Sequence, residues 1–255
     1  KLEILEGSEN PTKVINNDND LLHKWYEENK NTRNILTYGI NEKSDLNAEK
    51  MTLKPNCSEY ECKIDGIKNK IKVPVGGEHF VLNSLCALTV GKALGIENKK
   101  IIKGIESFEL TKKRMDITTL KNGVKIINDA YNASFESMKA SLKVLSEFKG
   151  NRKIAVLGDM FELGDFSKEL HEKVGHEVVE NKIDILICNG GNSKNIVEQA
   201  KKDGMNEDKI YYFENKKEIL ETLEKIAKPG DIILFKASNG MKFYELAEEM
   251  VKKSE

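Results

Sequence analysis

The sequence is poor in several features that mark whole classes of protein. Its 255 residues include only four prolines and four cysteines. The cysteines form no C-x-x-C pair and no zinc-ligand spacing, which is typical of reduced thiols in a cytosol and excludes a disulfide framework. The longest mainly apolar stretches, near 154–157 and 183–188, have the length of core strands, far below the roughly 20 residues of a membrane span. We therefore expect a cytoplasmic protein that does not enter a membrane.

A large net charge of either sign is also missing. Lysine and arginine total 41 against 42 aspartates and glutamates, which gives a formal net charge of -1. Without a basic field, nonspecific binding to nucleic acid or to an anionic membrane surface is not expected, and small partners are favoured. The sequence opens at Lys1 without an initiator methionine or a signal peptide, which predicts a fragment of a longer protein.

Two different patterns predict two units, at 1–109 and 110–255. In the first, alternating runs separated by turns indicate an antiparallel sheet, and a helix is expected over 78–95, closing at Gly95. Strands are predicted at 12–17, 33–38, 46–54, 58–64 and 67–73, with further helices near 20–29 and 98–107.

The second pattern is a strict alternation of strands and helices. Its strands are continuous apolar runs such as IAVL, ILIC and IILF, as burial on both faces of a parallel sheet requires. The pattern predicts a doubly wound α/β unit. The strands are expected at 124–129, 153–157, 184–188, 209–213 and 231–235, with helices near 135–148, 167–181, 193–203, 215–227 and 240–252.

Three loops that follow these strands carry candidate chemistry, because ligands of doubly wound sheets lie beyond the carboxyl ends of the strands. The loop 128–134 offers an Asp, a Tyr and an Asn that suit a ribose or a phosphate-bound metal. The loop 158–164 offers two carboxylates, and 236–240 places a lysine beside a helix N-terminus, which suits an anion. Turns and helix caps recruit the same residue types, so the loops alone leave both interpretations open. A fourth loop, 190–193, resembles an ordinary connection.

Two pairs of polar helix residues are further candidates. His171 and His176 are five residues apart, roughly 140° around a helix, so they cannot hold one zinc ion together. His79 and Asn83 are four apart and share a face, where they suit the edge of a purine. A solvated pair of helix residues is the alternative. The apolar side of this helix is predicted at Phe80, Leu82, Leu85 and Leu88.

Five strings across residues 76–241 together resemble the Mur ligase family, in the family's order. They are GEHFVLNSLCALTVGKALGI, RMDITT, NDAYNASFESMKASL, KIAVLGDMFELG with LHEKVG after it, and LFKASNGM. The second and third resemble the branch that adds D-alanyl-D-alanine. The opening KLEILEG and the following VINNDND extend the resemblance towards the amino end.

The resemblance implies the remainder of a central ATPase domain over 1–109 and a Rossmann-like, doubly wound C-terminal domain over 110–255. It implies an ATP- and Mg²⁺-dependent ligase that joins D-alanyl-D-alanine to a UDP-N-acetylmuramoyl-tripeptide during peptidoglycan precursor synthesis in the cytoplasm. A monomer is expected. The alternatives are another amide ligase of the superfamily, similar to folylpolyglutamate synthase, or a nonenzymatic nucleotide-binding module.

Site residues follow by the same resemblance. His79 and Asn83 are expected near adenine, Arg114 and Asp129 near the nucleotide's sugar and phosphates, and Tyr131 and Asn132 in the same loop. The peptide substrate and the dipeptide are expected to face Asp159, Glu162, Lys236, Ser238 and Asn239, with Lys236 as a catalytic residue. Lys1 aligns with the lysine that family members carbamylate to hold a second magnesium ion, and is expected to serve catalysis and the metal.

The sequence departs from the family pattern at several positions. No G-x-x-x-x-G-K-[ST] occurs, so the backbone amides that cradle phosphates in a P-loop are missing and the chain alone is not expected to turn over. The substituted positions are Phe80, Asn128, Ser134, Phe135 and Ala237, the last of which replaces a glycine.

Overall fold

The computed structural model describes residues 11–31, 34–109, 113–149 and 152–254. The chain divides into two compact units, Lys1–Glu109 and Leu110–Glu255. Each unit has its own β-sheet and its own hydrophobic core. Within the described ranges, no helix combines the length and the apolar character needed to cross a bilayer.

Within the described residues, the first unit is a five-stranded mixed sheet with three helices. Its order is β1-β2-β3-β4-β5; β1, β2 and β3 are parallel, whereas β3, β4 and β5 pair antiparallel. The elements are β1 (Lys13–Asn16), α1 (Asp20–Asn29), β2 (Ile35–Gly39), β3 (Leu46–Lys54), β4 (Cys57–Ile64), β5 (Ile67–Val73), α2 (Glu78–Ala93) and α3 (Asn98–Glu106).

The antiparallel part follows the predicted alternation. On β4 every second residue is buried, namely Ser58, Tyr60, Cys62 and Ile64, so one face of this strand turns to the core. Asp65 and Gly66, with φ of 50° and 80°, form the two-residue turn to β5. Positive φ at both positions is the turn geometry that matches the right-handed twist of paired strands.

The helix α2 packs on this sheet and ends at a left-handed glycine. Gly95 has φ of 71°, its N–H donates to the Lys92 carbonyl, and the Ile96 N–H donates to the Gly91 carbonyl. The predicted apolar face is partly wrong, because Phe80 and Leu82 are only half-buried. The face is instead centred on Val81, Leu85 and Leu88, with Ser84, Thr89 and Gly91 also buried.

The second unit is a six-stranded sheet in the order β10-β9-β8-β11-β7-β6. Five strands are parallel, and β6 pairs antiparallel with β7 at one edge. The elements are β6 (Asp116–Thr119), β7 (Lys125–Asn128), α4 (Phe135–Glu147), β8 (Lys153–Gly158), α5 (Ser167–Glu180), β9 (Ile185–Asn189), α6 (Lys194–Lys202), β10 (Ile210–Phe213), α7 (Lys217–Ile226), β11 (Ile232–Lys236) and α8 (Phe243–Lys253).

The central strands of this sheet are buried along their length because helices cover them. All five residues of β9 and of β11 are buried. Residues of α7 and α8 join the strands in one core cluster, while α4 and α6 contact β8, β9 and β11, and α5 packs against α4 and α6. The predicted α/β fold with a doubly wound second half is confirmed.

The topology gathers four strand ends at one edge of the sheet. The chain leaves β7, builds β8, β9 and β10 outward, and then returns to place β11 between β8 and β7. In register, Phe235 lies beside Asn128, Lys236 beside Leu157, and Asn189 beside Gly158. The loops after β7, β11, β8 and β9 therefore start side by side, and we call them the carboxyl-edge loops.

Two elements differ from the prediction. β6 was not predicted, since none of its four residues is buried and its sequence shows no alternating apolar face. The helix α8 starts at Phe243 rather than at 240, because Asn239–Met241 forms a 3-10 turn and Lys242 adopts a left-handed φ of 54°.

Candidate functional site

The carboxyl-edge loops of the second unit contain most of the site residues predicted from sequence. They are the segments 129–134 after β7, 237–240 after β11, 159–164 after β8 and 190–193 after β9. The side chains in these loops divide into a buried set that ties the loops together and an exposed set that faces outward. This division was not apparent in the sequence.

Lys236, at the end of β11, belongs to the buried set and is only 2% exposed. Its Nζ donates to Oδ2 of Asp129 at 2.6 Å and to the backbone carbonyls of Asp129 at 3.4 Å and Asn132 at 3.3 Å. All three acceptors belong to the loop after β7. The ammonium therefore fixes that loop.

The Asp129 carboxylate has partners on both oxygens. Besides Lys236, its Oδ2 accepts from the Ser141 hydroxyl at 2.6 Å, and its Oδ1 accepts from the Met115 N–H at 3.1 Å. Charge-assisted hydrogen bonds of this kind offset the cost of burying a carboxylate. Asp129 thus joins the residues before β6, the loop after β7 and the helix α4.

Arg114, Tyr131 and Asn132 form the exposed rim of the same loop. The Arg114 guanidinium carbon lies 4.2 Å from the centroid of the Tyr131 ring, a cation–π contact. The backbone of Tyr131 is fixed because its N–H donates to the Lys113 carbonyl at 3.0 Å. An aromatic ring that is 45% exposed and an exposed cation beside it suit a planar anionic ligand, such as a nucleotide.

Asp159 ties the loop after β8 to the loop after β9. Its Oδ1 accepts from the N–H groups of Asn192 at 3.1 Å and Ser193 at 2.7 Å. Gly190, with φ of 127°, passes so close to this carboxylate that a Cβ would collide with it. The 190–193 loop, which the sequence indicated to be an ordinary connection, is thus built around Asp159. Burial raises the pKa of the neighbouring Cys188 thiol, and the Asp159 charge raises it further.

Ser238 ties the loop after β11 to the loop after β8. Its hydroxyl oxygen accepts from the Phe161 N–H at 2.8 Å, and its own N–H donates to the Asp159 carbonyl at 3.0 Å. The two strand ends also fit closely, since a Cβ on Gly158 would lie 2.8 Å from that of Ala237. Ala237, which replaces a family glycine, is accommodated because Gly158 has no side chain.

In the loops after β8 and β11, the exposed side chains include Phe161, Glu162 and Asn239. Phe161 is 44% exposed and lies close to Gly240, where a Cβ would come within 3.0 Å of its ring. Glu162 has φ of 63°, a left-handed conformation that costs a residue with a Cβ about 1–2 kcal/mol. Strain of this kind persists where the surroundings determine the backbone, often at ligand sites.

One buried residue of the site was not predicted to have a role. His171 of α5 is fully buried, and its Nε2 accepts from the Met160 N–H at 3.0 Å. In the sequence, His171 stood out through its place in LHEKVG and through its spacing from His176, which lies on the surface and contacts Asp203. No sequence signal marks the contact with Met160, since the partner is a backbone amide.

His79 and Asn83 lie in the first unit, on α2. Asn83 is exposed, and His79 is half-buried with its ring centroid 4.2 Å from that of Phe80. In the same unit, Asp18 accepts from the N–H groups of residues 40, 41 and 42 and fixes the loop after β2. The acidic residue Asp18 of VINNDND therefore has a structural role in holding this loop.

The predicted magnesium ligand Lys1 lies outside the described residues. Among the residues that the structure does describe, no group of three or more His, Cys, Asp and Glu side chains is arranged to hold a metal ion. Asp129 and Asp159 have hydrogen-bond donors on their carboxylates instead.

Comparison with known proteins relates both units to one family. Residues 1–91 match the Mur ligase middle domain, and residues 113–239 match the domain described as Mur ligase, glutamate ligase domain. A curated UDP-N-acetylmuramoyl-tripeptide–D-alanyl-D-alanine ligase from Bacillus subtilis is 33% identical over 254 residues, which covers 99% of this chain and 54% of the relative. The chain spans about half the length of the curated relatives it matches.

Solved structures agree with the sequence matches. MurF from Acinetobacter baumannii superposes with a TM-score of 0.82 at 26% identity, covering 94% of this chain and 51% of that one. MurF from Thermotoga maritima in complex with ADP gives a TM-score of 0.79 at 28% identity, covering 99% and 56%. Since domains of one family match both units, this chain belongs to the Mur ligase family.

Proposed function

We propose that this chain is the part of an ATP-dependent amide ligase that joins D-alanyl-D-alanine to a UDP-N-acetylmuramoyl-tripeptide. One observation carries the proposal: Lys236, Ser238 and Asp159 tie four strand-end loops into a single frame. The frame has an exposed cation and aromatic ring on one side and an exposed carboxylate and ring on the other. The names of the relatives, and ADP in the Thermotoga maritima structure, support this reaction class.

The reaction needs two steps at one carboxyl group. The γ-phosphoryl group of ATP passes to the terminal carboxylate of the tripeptide, which gives an acyl phosphate and ADP. The amine of D-alanyl-D-alanine attacks the acyl carbon, inorganic phosphate leaves with the C–O bond electrons, and the nitrogen loses a proton. A frame that holds both reactants in place contributes by converting encounters into an intramolecular step.

We assign the nucleotide side to the loop after β7. The Arg114 guanidinium and the Tyr131 ring would contact the nucleotide's sugar, phosphates or base from the exposed rim, and Asn132 would shape the same surface. Asp129 would position them, because its carboxylate is already bonded to Lys236, Ser141 and Met115. His79 and Asn83 of the first unit are proposed to contact adenine.

We assign the acceptor side to the loops after β8 and β11. Glu162 and Asn239 are exposed there and would contact the incoming dipeptide. Asp159 and Ser238 are buried, so their contribution is to hold the loops in which the contacting residues lie. Lys236 would serve catalysis in the same indirect way.

Magnesium is part of the proposal through the family alone. When bound, it would neutralise phosphate charge during phosphoryl transfer, and a carbamylated Lys1 would be one of its ligands. The described residues do not supply a metal site by themselves, and we derive no step through the metal. We further propose that the ligase acts as a monomer in the cytoplasm, and that this chain alone releases no phosphate, since its sequence has no P-loop.

Nucleotide binding tests the proposal directly. We expect ADP titrated into the chain to shift the amide NMR signals of residues 113–116 and 129–132. Replacing the cation or the ring, with Arg114→Ala or Tyr131→Ala, should weaken ADP binding at least about fivefold, as expected for a lost cation–π or phosphate contact. Lys173→Ala, on the exposed side of α5, is the matched control and should bind ADP like the wild type.

Four outcomes would contradict the proposal. Absence of any ADP effect would remove the nucleotide assignment, and equal binding by Arg114→Ala would move the nucleotide elsewhere. Binding of a folate or of free glutamate in place of D-alanyl-D-alanine would favour another amide ligase of the superfamily. Phosphate release by the purified chain in the presence of ATP and the tripeptide would overturn the statement that it does not turn over.

A further inference from the structure

His171 is buried, and each of its ring nitrogens has a hydrogen-bond partner of known character. Nδ1 lies 2.6 Å from the Ser167 carbonyl oxygen, which only accepts, so Nδ1 carries the proton. Nε2 accepts from the Met160 N–H at 3.0 Å, so it must be unprotonated. The two contacts define a neutral imidazole in a single tautomer, with its lone pair turned to the loop after β8.

The backbone of that loop is held at three consecutive residues. The Asp159 carbonyl accepts from the Ser238 N–H, the Met160 N–H donates to His171, and the Phe161 N–H donates to the Ser238 hydroxyl. Two of the three hydrogen bonds come from Ser238, two residues after Lys236, which ends β11. The third comes from α5 and depends on His171 alone.

The last residue of this fixed stretch, Phe161, and the residue after it, Glu162, are exposed. Phe161 is 44% exposed, and Glu162 is exposed in the left-handed conformation described above. An aromatic ring beside a carboxylate suits an acceptor that carries an amine next to a small apolar side chain. The directions of the Phe161 and Glu162 side chains depend on the backbone at Met160, because a rotation of that backbone would turn both side chains together.

We propose that His171 is a positioning residue for the acceptor: its Nε2 holds Met160 so that the Phe161 ring and the Glu162 carboxylate face the amine-bearing substrate. The inference rests on the proposed function, which supplies the dipeptide acceptor. His171 does not touch the acceptor itself. It acts through the Met160 N–H.

Two substitutions separate the contacts of the imidazole. In His171→Gln, the side-chain amide reaches the position of Nε2, so its oxygen can accept from Met160. In His171→Asn, the shorter amide reaches only the position of Nδ1 and can donate to the Ser167 carbonyl, which leaves the Met160 N–H without its acceptor. His176→Asn, on the exposed side of the same helix, controls for loss of an imidazole from α5.

Amide hydrogen exchange of the full chain measures how firmly the loop after β8 is held, without any ligand. His171→Asn should exchange at Met160 about tenfold faster than the wild type, as expected for a lost buried hydrogen bond. His171→Gln and His176→Asn should stay within about twofold. Amides of β8 serve as a reference, since general unfolding would accelerate them equally. Unchanged Met160 exchange in His171→Asn would overturn the inference.

Titration with D-alanyl-D-alanine then measures how the substitutions change binding of the acceptor dipeptide. We expect the dipeptide to shift the Phe161 and Glu162 signals in the wild type and in His171→Gln, and to bind His171→Asn at least about fivefold more weakly. Equal binding by His171→Asn, with its faster Met160 exchange, would overturn the positioning role. No binding by the wild type would instead remove the acceptor from the proposed function, and the positioning role with it, while ADP binding would still test the nucleotide side.

Discussion

The Nζ of Lys236 lies 2.6 Å from Oδ2 of Asp129, although 107 residues separate them along the chain. Both side chains are almost fully buried, at 3% and 12% exposure. Lys236 ends one strand and Asp129 follows its neighbour, so their ion pair joins two adjacent loops of the proposed site. Burying two charges is favourable only when their geometry and remaining hydrogen bonds are satisfied, as they are here.

Replacing Lys236 should therefore destabilise the second unit strongly. Lys236→Met leaves the Asp129 carboxylate buried without its counter-charge, and we expect the free energy of opening to fall by about 3 kcal/mol. The double substitution Lys236→Met with Asp129→Asn removes both charges and should cost less than the sum of the single substitutions. Hydrogen exchange of β7 and β11 is the suitable measurement, because Trp25, the single tryptophan, lies in the first unit.

Lys253→Met is the matched control for that experiment. Lys253 pairs with Glu224 at 2.7 Å, but both side chains are half exposed, and ion pairs of this kind contribute little. Its substitution should leave the exchange of β7 and β11 nearly unchanged. Equal effects of Lys236→Met and Lys253→Met would show that burial does not strengthen the Lys236–Asp129 pair.

Gly190→Ala should also destabilise the site, for a steric reason. Gly190 has φ of 127°, and a Cβ there would overlap the Asp159 carboxylate. Either the 190–193 loop or Asp159 must then move, which should break the hydrogen bonds from Asn192 and Ser193. We expect a loss of about 2 to 4 kcal/mol in the free energy of opening, measured by exchange at Asn192 and Ser193.

The adjacent Gly191 provides the control. A Cβ on Gly191 would meet no atom within 4 Å, and its φ is not in the left-handed region. Gly191→Ala should therefore change stability by less than about 1 kcal/mol. A tolerated Gly190→Ala substitution would mean that Asp159 does not hold this loop in solution.

The position of the site follows from the sequence, because apolar runs of strand length predict a parallel sheet whose carboxyl ends share an edge. Asp129, Asp159 and Lys236 each stand at or directly after such a run, so the pattern assigns all three to that edge. The orientation of these three side chains does not follow from the sequence. Lys236 and Asp159 contact loops that are 107 and 34 residues away, and no local pattern encodes a contact at that separation.

The missed elements have a similar physical cause. β6 is held by pairing with β7, as between Asp116 and Asn128, while none of its side chains is buried. Secondary structure that depends on a neighbouring strand rather than on its own apolar pattern is invisible to periodicity. His171 went unrecognised for a related reason, since its partner is the backbone of Met160 and every residue type but proline offers the same N–H.

Next to this buried network, His176 and Asp203 supply a surface contact whose strength depends on pH. Nδ1 of His176 lies 2.8 Å from Oδ2 of Asp203, and this hydrogen bond raises the pKa of His176 above its ordinary 6.5. A raised pKa in the folded state means that the contact stabilises the fold fully below about pH 6.5 and that this contribution is lost as the pH rises through the folded pKa.

In Asp203→Asn, an NMR titration should therefore find the His176 pKa lower than in the wild type, and the stability difference between the two proteins should be larger near pH 6 than near pH 8.5. Glu180→Gln, which removes a more distant charge, should lower the His176 pKa less than Asp203→Asn does. The same His176 pKa in wild type and Asp203→Asn would show that the contact does not hold the proton in solution.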